Sequence, residues 1–324
     1  MPANLNSIMC LGLAMALGAT GSVRGQEAYP AKPIRIIVPF APGGPNDIIS
    51  RLVGKKLFEK WGQQVIVDSR PGGNTVIGSE LAASSNPDGY TLLIVSTSTT
   101  VNPSLMKKLP YDTLKDFASV VRLTASPNIL VTPPSLPVTS VRELIAMAKA
   151  KPGEINFSSG GSGSSTHLTA ELFCLTVDAK MNHVPYKGAG PATIALLGAE
   201  VTWMFGTTLP TMPHIKSGRL RAIGVSGLKR SPVMPDIPAI AETLPGFEAT
   251  SWYGVSVPAR TPKPVIAKLN DAIARILDTA EMRDRLLQDG TEAIGGTTEE
   301  FSAYFKAEIV KWDKVIRAAG IKPN

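Results

Sequence analysis

The chain has 324 residues, 44% hydrophobic and 18% charged, with a formal net charge of +7. That is long enough for two domains with sizeable cores, and the balance is that of a globular protein. Its Lys and Arg residues are scattered, with no basic run interleaved with aromatics, which argues against a nucleic-acid partner.

The first 25 residues stand apart. Residues 8–25 are an apolar stretch too short to span a bilayer, ending in small residues that place Val23 and Gly25 at the −3 and −1 positions of a cleavage site. Residues 1–25 therefore read as a signal peptide cut before Gln26, and the mature chain as an exported, soluble protein. Losing Arg24 lowers the net charge to +6, and losing Cys10 leaves Cys174 alone, so no intramolecular disulfide is expected.

The run IRIIV at 34–38 is short, apolar and β-branched, a buried strand. A turn containing Pro42, Gly43, Gly44 and Pro45 follows, with Asn46 and Asp47 as N-cap candidates. Ile49, Leu52, Val53 and Leu57 then fall at helical spacing. A helix entered through glycines presents bare N–H groups at its positive end, which suits an anion. The pattern recurs. Residues 63–70 predict a strand, followed by Pro-Gly-Gly-Asn and a helix, and residues 89–100 a strand running into hydroxyls. Residues 155–173 and 181–199 each predict strand, loop and helix, and 201–208 and 220–227 two further strands. Such units make parallel sheets whose loops gather at the carboxyl ends of the strands.

Proline-rich stretches at 126–137 and 231–247 bracket a middle block of domain size. The expected organisation is α/β: one discontinuous domain of residues 26–127 plus 250–324, a second of residues 128–249, and a ligand groove between them. Residues 264–277 and 298–320 predict amphipathic helices. Phe301, Tyr304, Phe305, Ile309, Trp312 and Ile316 form a core stripe on the last.

No catalytic or cofactor motif is complete. The Gly160–His167 loop lacks the lysine of a phosphate-binding loop. Thr166 stands where the dinucleotide fingerprint needs its third glycine, and no G-x-S-x-G elbow surrounds Ser162 or Ser164. His167, His183 and His214 have no metal-site spacing. No cofactor, metal or catalytic residue is therefore assigned, and a secreted hydrolase using Ser164 or Ser165 with His167 is the enzyme alternative. The positive signal is anion capture. Glycine N–H groups, hydroxyls and helix starts coincide in GGSGSSTH and in FAPGGPND, and VSTSTT at 95–100 adds hydroxyl donors at a strand end.

The segments YPAKPIRIIVPFAPGGPNDIISR, VDSRPGGNTVIGSELAASSNPDGYTLL, GSGSSTHLTAELF, VPYKGAGPA and MPHIKSGRLRAIGVS, in this order along the mature chain, resemble the Bug receptors. These are the extracytoplasmic solute-binding proteins of tripartite tricarboxylate transporters. The resemblance implies a type II-like two-domain periplasmic binding protein, not an enzyme. Each domain would be a mainly parallel sheet flanked by helices, and the protein would work as a monomer. It would close on a small organic mono- or dicarboxylate, aliphatic or aromatic, and deliver it to membrane permease subunits; signalling to a membrane sensor is the binding-class alternative. The resemblance also implies a carboxylate pincer. One jaw is Phe40, Ala41, Pro42, Gly43, Gly44, Asn46 and Asp47; the other is Gly161, Gly163, Ser164, Ser165, Thr166 and His167, within the loop from Gly160. Ser96, Thr97, Tyr186, Gly206 and Thr207 are expected to line the cleft. Two positions depart from the family pattern. Pro45 lacks an N–H, and Gly206 lacks the acid that would accept from a ligand ammonium, which disfavours an amino-acid ligand.

Overall fold

A computed structural model describes residues 29–323 apart from 41, 43, 44, 187 and 289. Residues 1–25, expected to be a signal peptide, with Cys10 among them, and Ala41, Gly43 and Gly44 lie outside the described residues. The first part of the chain forms β1 (Ile34–Val38), α1 (Pro45–Trp61), β2 (Val65–Ser69), α2 (Val76–Ala83), β3 (Thr91–Ser96), α3 (Thr97–Leu105) and β4 (Phe117–Pro127). The middle forms β5 (Ile129–Thr132), α4 (Val141–Ala150), β6 (Asn156–Ser159), α5 (Ser165–Val177), β7 (Asn182–Pro185), α6 (Ala189–Leu197), β8 (Trp203–Gly206), α7 (Thr208–Lys216) and β9 (Arg221–Val225). The last part forms β10 (Thr250–Pro258), α8 (Lys263–Asp278), α9 (Ala280–Gln288), β11 (Glu292–Gly295) and α10 (Thr298–Ala318).

Two sheets result. The first has the order β11-β4-β10-β3-β1-β2 and the second β7-β6-β8-β5-β9. β1 runs parallel to both β2 and β3, and β6 parallel to both β7 and β8, as strand–loop–helix units require. The remaining pairings, β10 with β3 and β4, β11 with β4, and β5 with β8 and β9, are antiparallel. The sheets are thus mixed, with less parallel pairing than the sequence suggests. The reason is that β10, returning from the middle of the chain, runs antiparallel between β3 and β4, β11 adds a second reversed strand at the edge, and β5 runs antiparallel between β8 and β9.

Burial follows the apolar pattern. Ile34, Ile36 and Val38 of β1 meet Ile49, Val53 and Leu57 of α1, which repeat one helical turn apart and so share a face. The second sheet buries Phe157, Phe173, Trp203 and Phe205 in its own core. Cys174 is buried there as a free thiol, and burial pushes it well above the ordinary thiol range, so it behaves as a small apolar side chain. Behind the junction of the two sheets, Val101 and Leu105 of α3 meet Leu168 of α5, Ala249, and Trp312, Val315 and Ile316 of α10.

Polar contacts fix the two chain crossings. Asn128, directly after β4, receives the Ser251 hydroxyl on Oδ1 at 3.1 Å and donates from Nδ2 to Thr169 Oγ1 at 2.8 Å. Its N–H donates to Ser226 Oγ at 2.8 Å, and the Ser226 hydroxyl donates onward to the Ala249 carbonyl. Every polar atom of this buried asparagine side chain is engaged, as burial demands.

The aromatic stripe of α10 sits where its spacing places it. Phe301 and Phe305 surround Trp252 of β10 edge-on. The indole N–H groups of Trp252 and Trp312 both donate to Glu308 Oε2, each at 2.8 Å. One buried carboxylate oxygen thus fixes two tryptophans. Replacing it, as in Glu308→Leu, strands both donors, at roughly 1–3 kcal/mol each. Urea denaturation is expected to show a loss of roughly 2–6 kcal/mol, with Glu308→Gln in between; a variant as stable as the parent contradicts this assignment.

Candidate functional site

Each strand–loop–helix unit ends its strand where its helix begins, so the carboxyl edges of the two sheets collect helix N-termini. Five meet in one cleft of about 200 Å³. Pro45 and Asn46 bring the start of α1, Ser96, Thr97 and Ser98 that of α3, and Ser164, Ser165 and Thr166 that of α5. Ala189 brings the start of α6 and Thr207 that of α7. Phe40, Gly160, Ser251, Trp252 and Tyr253 complete the wall. Larger hollows of about 670 and 720 Å³ lie on the surface, beside Pro103–Met106 and between α1 and β2, but neither collects such donors.

The first N–H groups of a helix have no intrahelical partner, and here few are capped from within. The α3 start carries a capping box: Ser96 Oγ accepts from the Ser98 N–H at 3.2 Å, and Thr99 Oγ1 accepts from the Ser96 N–H at 3.2 Å. Ser164 Oγ caps α5 by accepting from the His167 N–H at 3.3 Å. Gly188 and Thr207 make no side-chain cap for α6 and α7. Two side-chain oxygens in the cleft, Asn46 Oδ1 and Thr97 Oγ1, are buried without a hydrogen-bond partner among the described residues. None of the described lining residues carries a charge. Burial pushes the Tyr253 phenol up to about 12, so it too is neutral at physiological pH. The field in the cleft is set by aligned backbone dipoles and neutral donors, which favour an anion.

Packing at Gly160 is tight. A Cβ there would lie 3.3 Å from the Ala189 nitrogen and 3.4 Å from the Gly188 carbonyl carbon, so the absent side chain lets two loops meet.

The sequence-derived candidates divide. Phe40, Asn46, Ser96, Thr97, Ser164, Ser165, Thr166 and Thr207 line the cleft. Pro42 is exposed and does not. Asn46 and Asp47 lie inside the first turn of α1, not at its cap, because the helix starts at Pro45; proline at that first position gives up an N–H that the helix leaves unpaired anyway. Asp47 is buried and ion-paired with Arg51 at 3.0 Å, one turn on. The hydroxyls at Thr97–Thr100 belong to the first turn of α3, not to a strand. Tyr186 turns outward, its hydroxyl donating to Glu200 Oε2 at 3.1 Å. Gly206 points away from the cleft, since a Cβ there would strike Thr211 Oγ1 at 2.2 Å. The missing acid at 206 therefore carries no information about a ligand ammonium. Gly161, Gly163 and His167 are absent from the cleft lining, Gly161 half-buried and the other two buried. Ala189, Ser251, Trp252 and Tyr253 line it without being sequence candidates, because the last three come from the interior of a strand that carries no loop motif.

His167 is 3% exposed. Its Nδ1 accepts from the Gly163 N–H at 3.1 Å, so its proton sits on Nε2, 3.3 Å from Glu171 Oε1. Neither ring nitrogen faces a serine hydroxyl, and Ser165 Oγ is instead paired with Ser251 Oγ at 2.8 Å, so no Ser–His pair forms.

The two mixed sheets, each flanked by helices, with a polar cleft at their facing edges, define the two-domain solute-binding class of α/β proteins. Comparison with known proteins narrows the class. Residues 49–321 match the model of the tripartite tricarboxylate transporter family receptor. Among solved structures, the chain is similar to R. palustris Rpa4515 with adipate, at TM-score 0.83 and 33% identity, covering 91% of this chain and all of that one. It is similar to the periplasmic binding protein BugD at TM-score 0.79 and 30% identity, covering 91% and 100%. To MatC from Rhodopseudomonas palustris with bound malate it is similar at TM-score 0.78 and 29% identity, covering 89% and 100%. The chain belongs to the tripartite tricarboxylate transporter receptor family. This is a family of solute-binding proteins rather than enzymes. Among the described residues, no helix is long and apolar enough to cross a membrane.

His183 supplies a pH test of the region behind the cleft. Burial, reinforced by the neighbouring His167, pushes it down to about 3 from an ordinary 6.5. Above pH 6.5 the ring is neutral in both folded and unfolded chains and adds no pH dependence. Below it, the unfolded chain takes up a proton that the folded chain refuses, so stability falls progressively from pH 6.5 towards 3. Denaturation at pH 7 and pH 5 is expected to show a smaller acid-induced loss in His183→Asn than in the parent; equal losses contradict this.

Proposed function

We propose that the chain is a periplasmic receptor that captures a small organic carboxylate and delivers it to the membrane permease subunits of a tripartite tricarboxylate transporter. The ligand would lie between one domain of residues 26–127 plus 250–324 and a second of residues 128–249. The observation that carries this reading is the convergence of five helix N-termini on a cleft whose described lining is uncharged.

The cleft has donors on two sides. α1 and α3 belong to the half of the chain that builds the first sheet, α5, α6 and α7 to the half that builds the second. A dicarboxylate spans the two, each carboxylate accepting from the helix starts on its side, and Phe40 and Trp252 face its apolar middle. The adipate and malate bound to two structural neighbours are small aliphatic dicarboxylates and support this choice. At about 200 Å³ the cleft is smaller than the roughly 300 Å³ at which drug-sized pockets begin, which favours such compact acids. Contact with both sides makes ligand binding favour the closed arrangement over an open one, and that difference is what a permease would read.

The test is thermal unfolding of the mature chain against aliphatic and aromatic mono- and dicarboxylates. A ligand at 100 times its dissociation constant stabilises by about 2.7 kcal/mol, a shift of several degrees. No shift with any carboxylate contradicts the proposal. Thr97→Val is a sharper probe, because the Thr97 hydroxyl is buried without a partner among the described residues. The variant is expected to unfold at or above the parent's temperature while binding the carboxylate about tenfold more weakly, the loss of one hydrogen bond to a charged group. Unchanged affinity contradicts a role for Thr97 as a ligand donor.

A further inference from the structure

Two imidazoles stand behind the α5 loop, and ligand contact does not explain them. The rings of His167 and His183 are stacked, with centroids 3.8 Å apart and planes 20° from parallel, and His183 stacks in turn on Phe157 at 5.1 Å. Each ring connects to the loop between β6 and α5 at a different glycine. His183 Nε2 lies 2.6 Å from Ser159 Oγ, which accepts from the Gly161 N–H at 3.1 Å. His167 Nδ1 accepts directly from the Gly163 N–H at 3.1 Å.

These glycines carry the shape of the loop. Gly161 has φ +118° and Gly163 φ +78°, conformations that other residues rarely adopt. The backbone at Gly163 is also wedged against the other half of the chain, because a Cβ there would lie 2.5 Å from Leu105 Cδ1. On either side of these two glycines, Gly160 and Ser164 line the cleft. A shift at Gly163 therefore moves the start of α5 relative to the ligand donors of α3.

We propose that His167 is a positioning residue for ligand capture: by accepting from the Gly163 N–H, with its ring held in the stack on His183, it sets the loop in the shape that presents the α5 start to the ligand. It acts through the loop and touches no ligand. Glu171 holds the opposite edge of the ring at 3.3 Å and so fixes which nitrogen accepts. The role does not require an imidazole as such. It requires an acceptor at the Nδ1 position.

Asparagine and glutamine separate the two ring nitrogens. His167→Asn places an amide oxygen where Nδ1 stands and keeps the acceptor for Gly163. His167→Gln extends its amide towards the Nε2 position and keeps the Glu171 partner instead. Both lose the stack, so a packing role alone affects them alike. Two readouts apply: hydrogen exchange of the Gly163 amide in the ligand-free protein, and affinity for adipate and for malate, with unfolding temperature as the folding control. The expected result is a protected Gly163 amide and affinity within about threefold of the parent for His167→Asn. For His167→Gln, a fast-exchanging amide and affinity at least tenfold weaker are expected. Equal exchange and equal affinity in the two variants overturn the proposal. It rests on the carboxylate reading for its ligand arm only. If the parent binds neither acid, that reading is what fails for these ligands, and Gly163 exchange in the two variants still decides whether His167 holds the loop.

Discussion

A helix leaves its first N–H groups without intrahelical partners, and five helices in this protein leave them facing the same small volume. That constraint organises the cleft. The donors are supplied by the backbone, fixed by the helices behind them, and accompanied by no charged side chain among the described lining residues. An anionic ligand can be held there by dipoles and neutral hydrogen bonds. A neutral ligand would leave the dipoles uncompensated, and a cation would be repelled by them.

The rest of the molecule keeps those ends in register. Strands β4 and β10 cross between the halves of the chain, and Asn128 ties the crossing together through Ser226, Thr169 and Ser251. Ser251 pairs in turn with Ser165 at the start of α5, so the crossing strands and a cleft-lining helix start share one hydrogen-bond chain. The apolar cluster of α3, α5 and α10 closes the back of the junction, and Glu308 anchors Trp252 in the cleft wall. The same side chains that define the cores also define where the donors point.

Much of this was legible in the sequence because it is local. A β-branched run followed by Gly or Ser and an amphipathic stretch specifies strand, loop and helix within twenty residues, and the start of the helix carries its own donors. Ser164, Ser165, Thr166, Ser96 and Thr97 could be picked out in that way. What the sequence hid is non-local. Ser251, Trp252 and Tyr253 reach the cleft from the interior of β10, where nothing in the local pattern distinguishes a cleft face from a core face. Gly206 looked like a vacant ligand position until the direction of its missing side chain, towards Thr211, was known. His167 is next to the right residues in sequence and behind them in space, because its ring turns back to accept from the Gly163 N–H and stacks on His183. Thr97–Thr100 are β-formers by type, yet the Ser96 capping box starts a helix there.

The central claim is that the cleft selects its ligand by negative charge, held by helix ends and neutral donors. The most direct measurement is a calorimetric titration of the mature chain with a small dicarboxylate and with the corresponding neutral diamide, which keeps the length and one acceptor oxygen at each end but removes both charges. Adipate and adipamide form such a pair. The account predicts that the dianion binds and that the diamide gives no measurable heat at the same concentrations. Comparable affinity for the two would contradict it, because a cleft that ignores the charge is not organised by its helix dipoles.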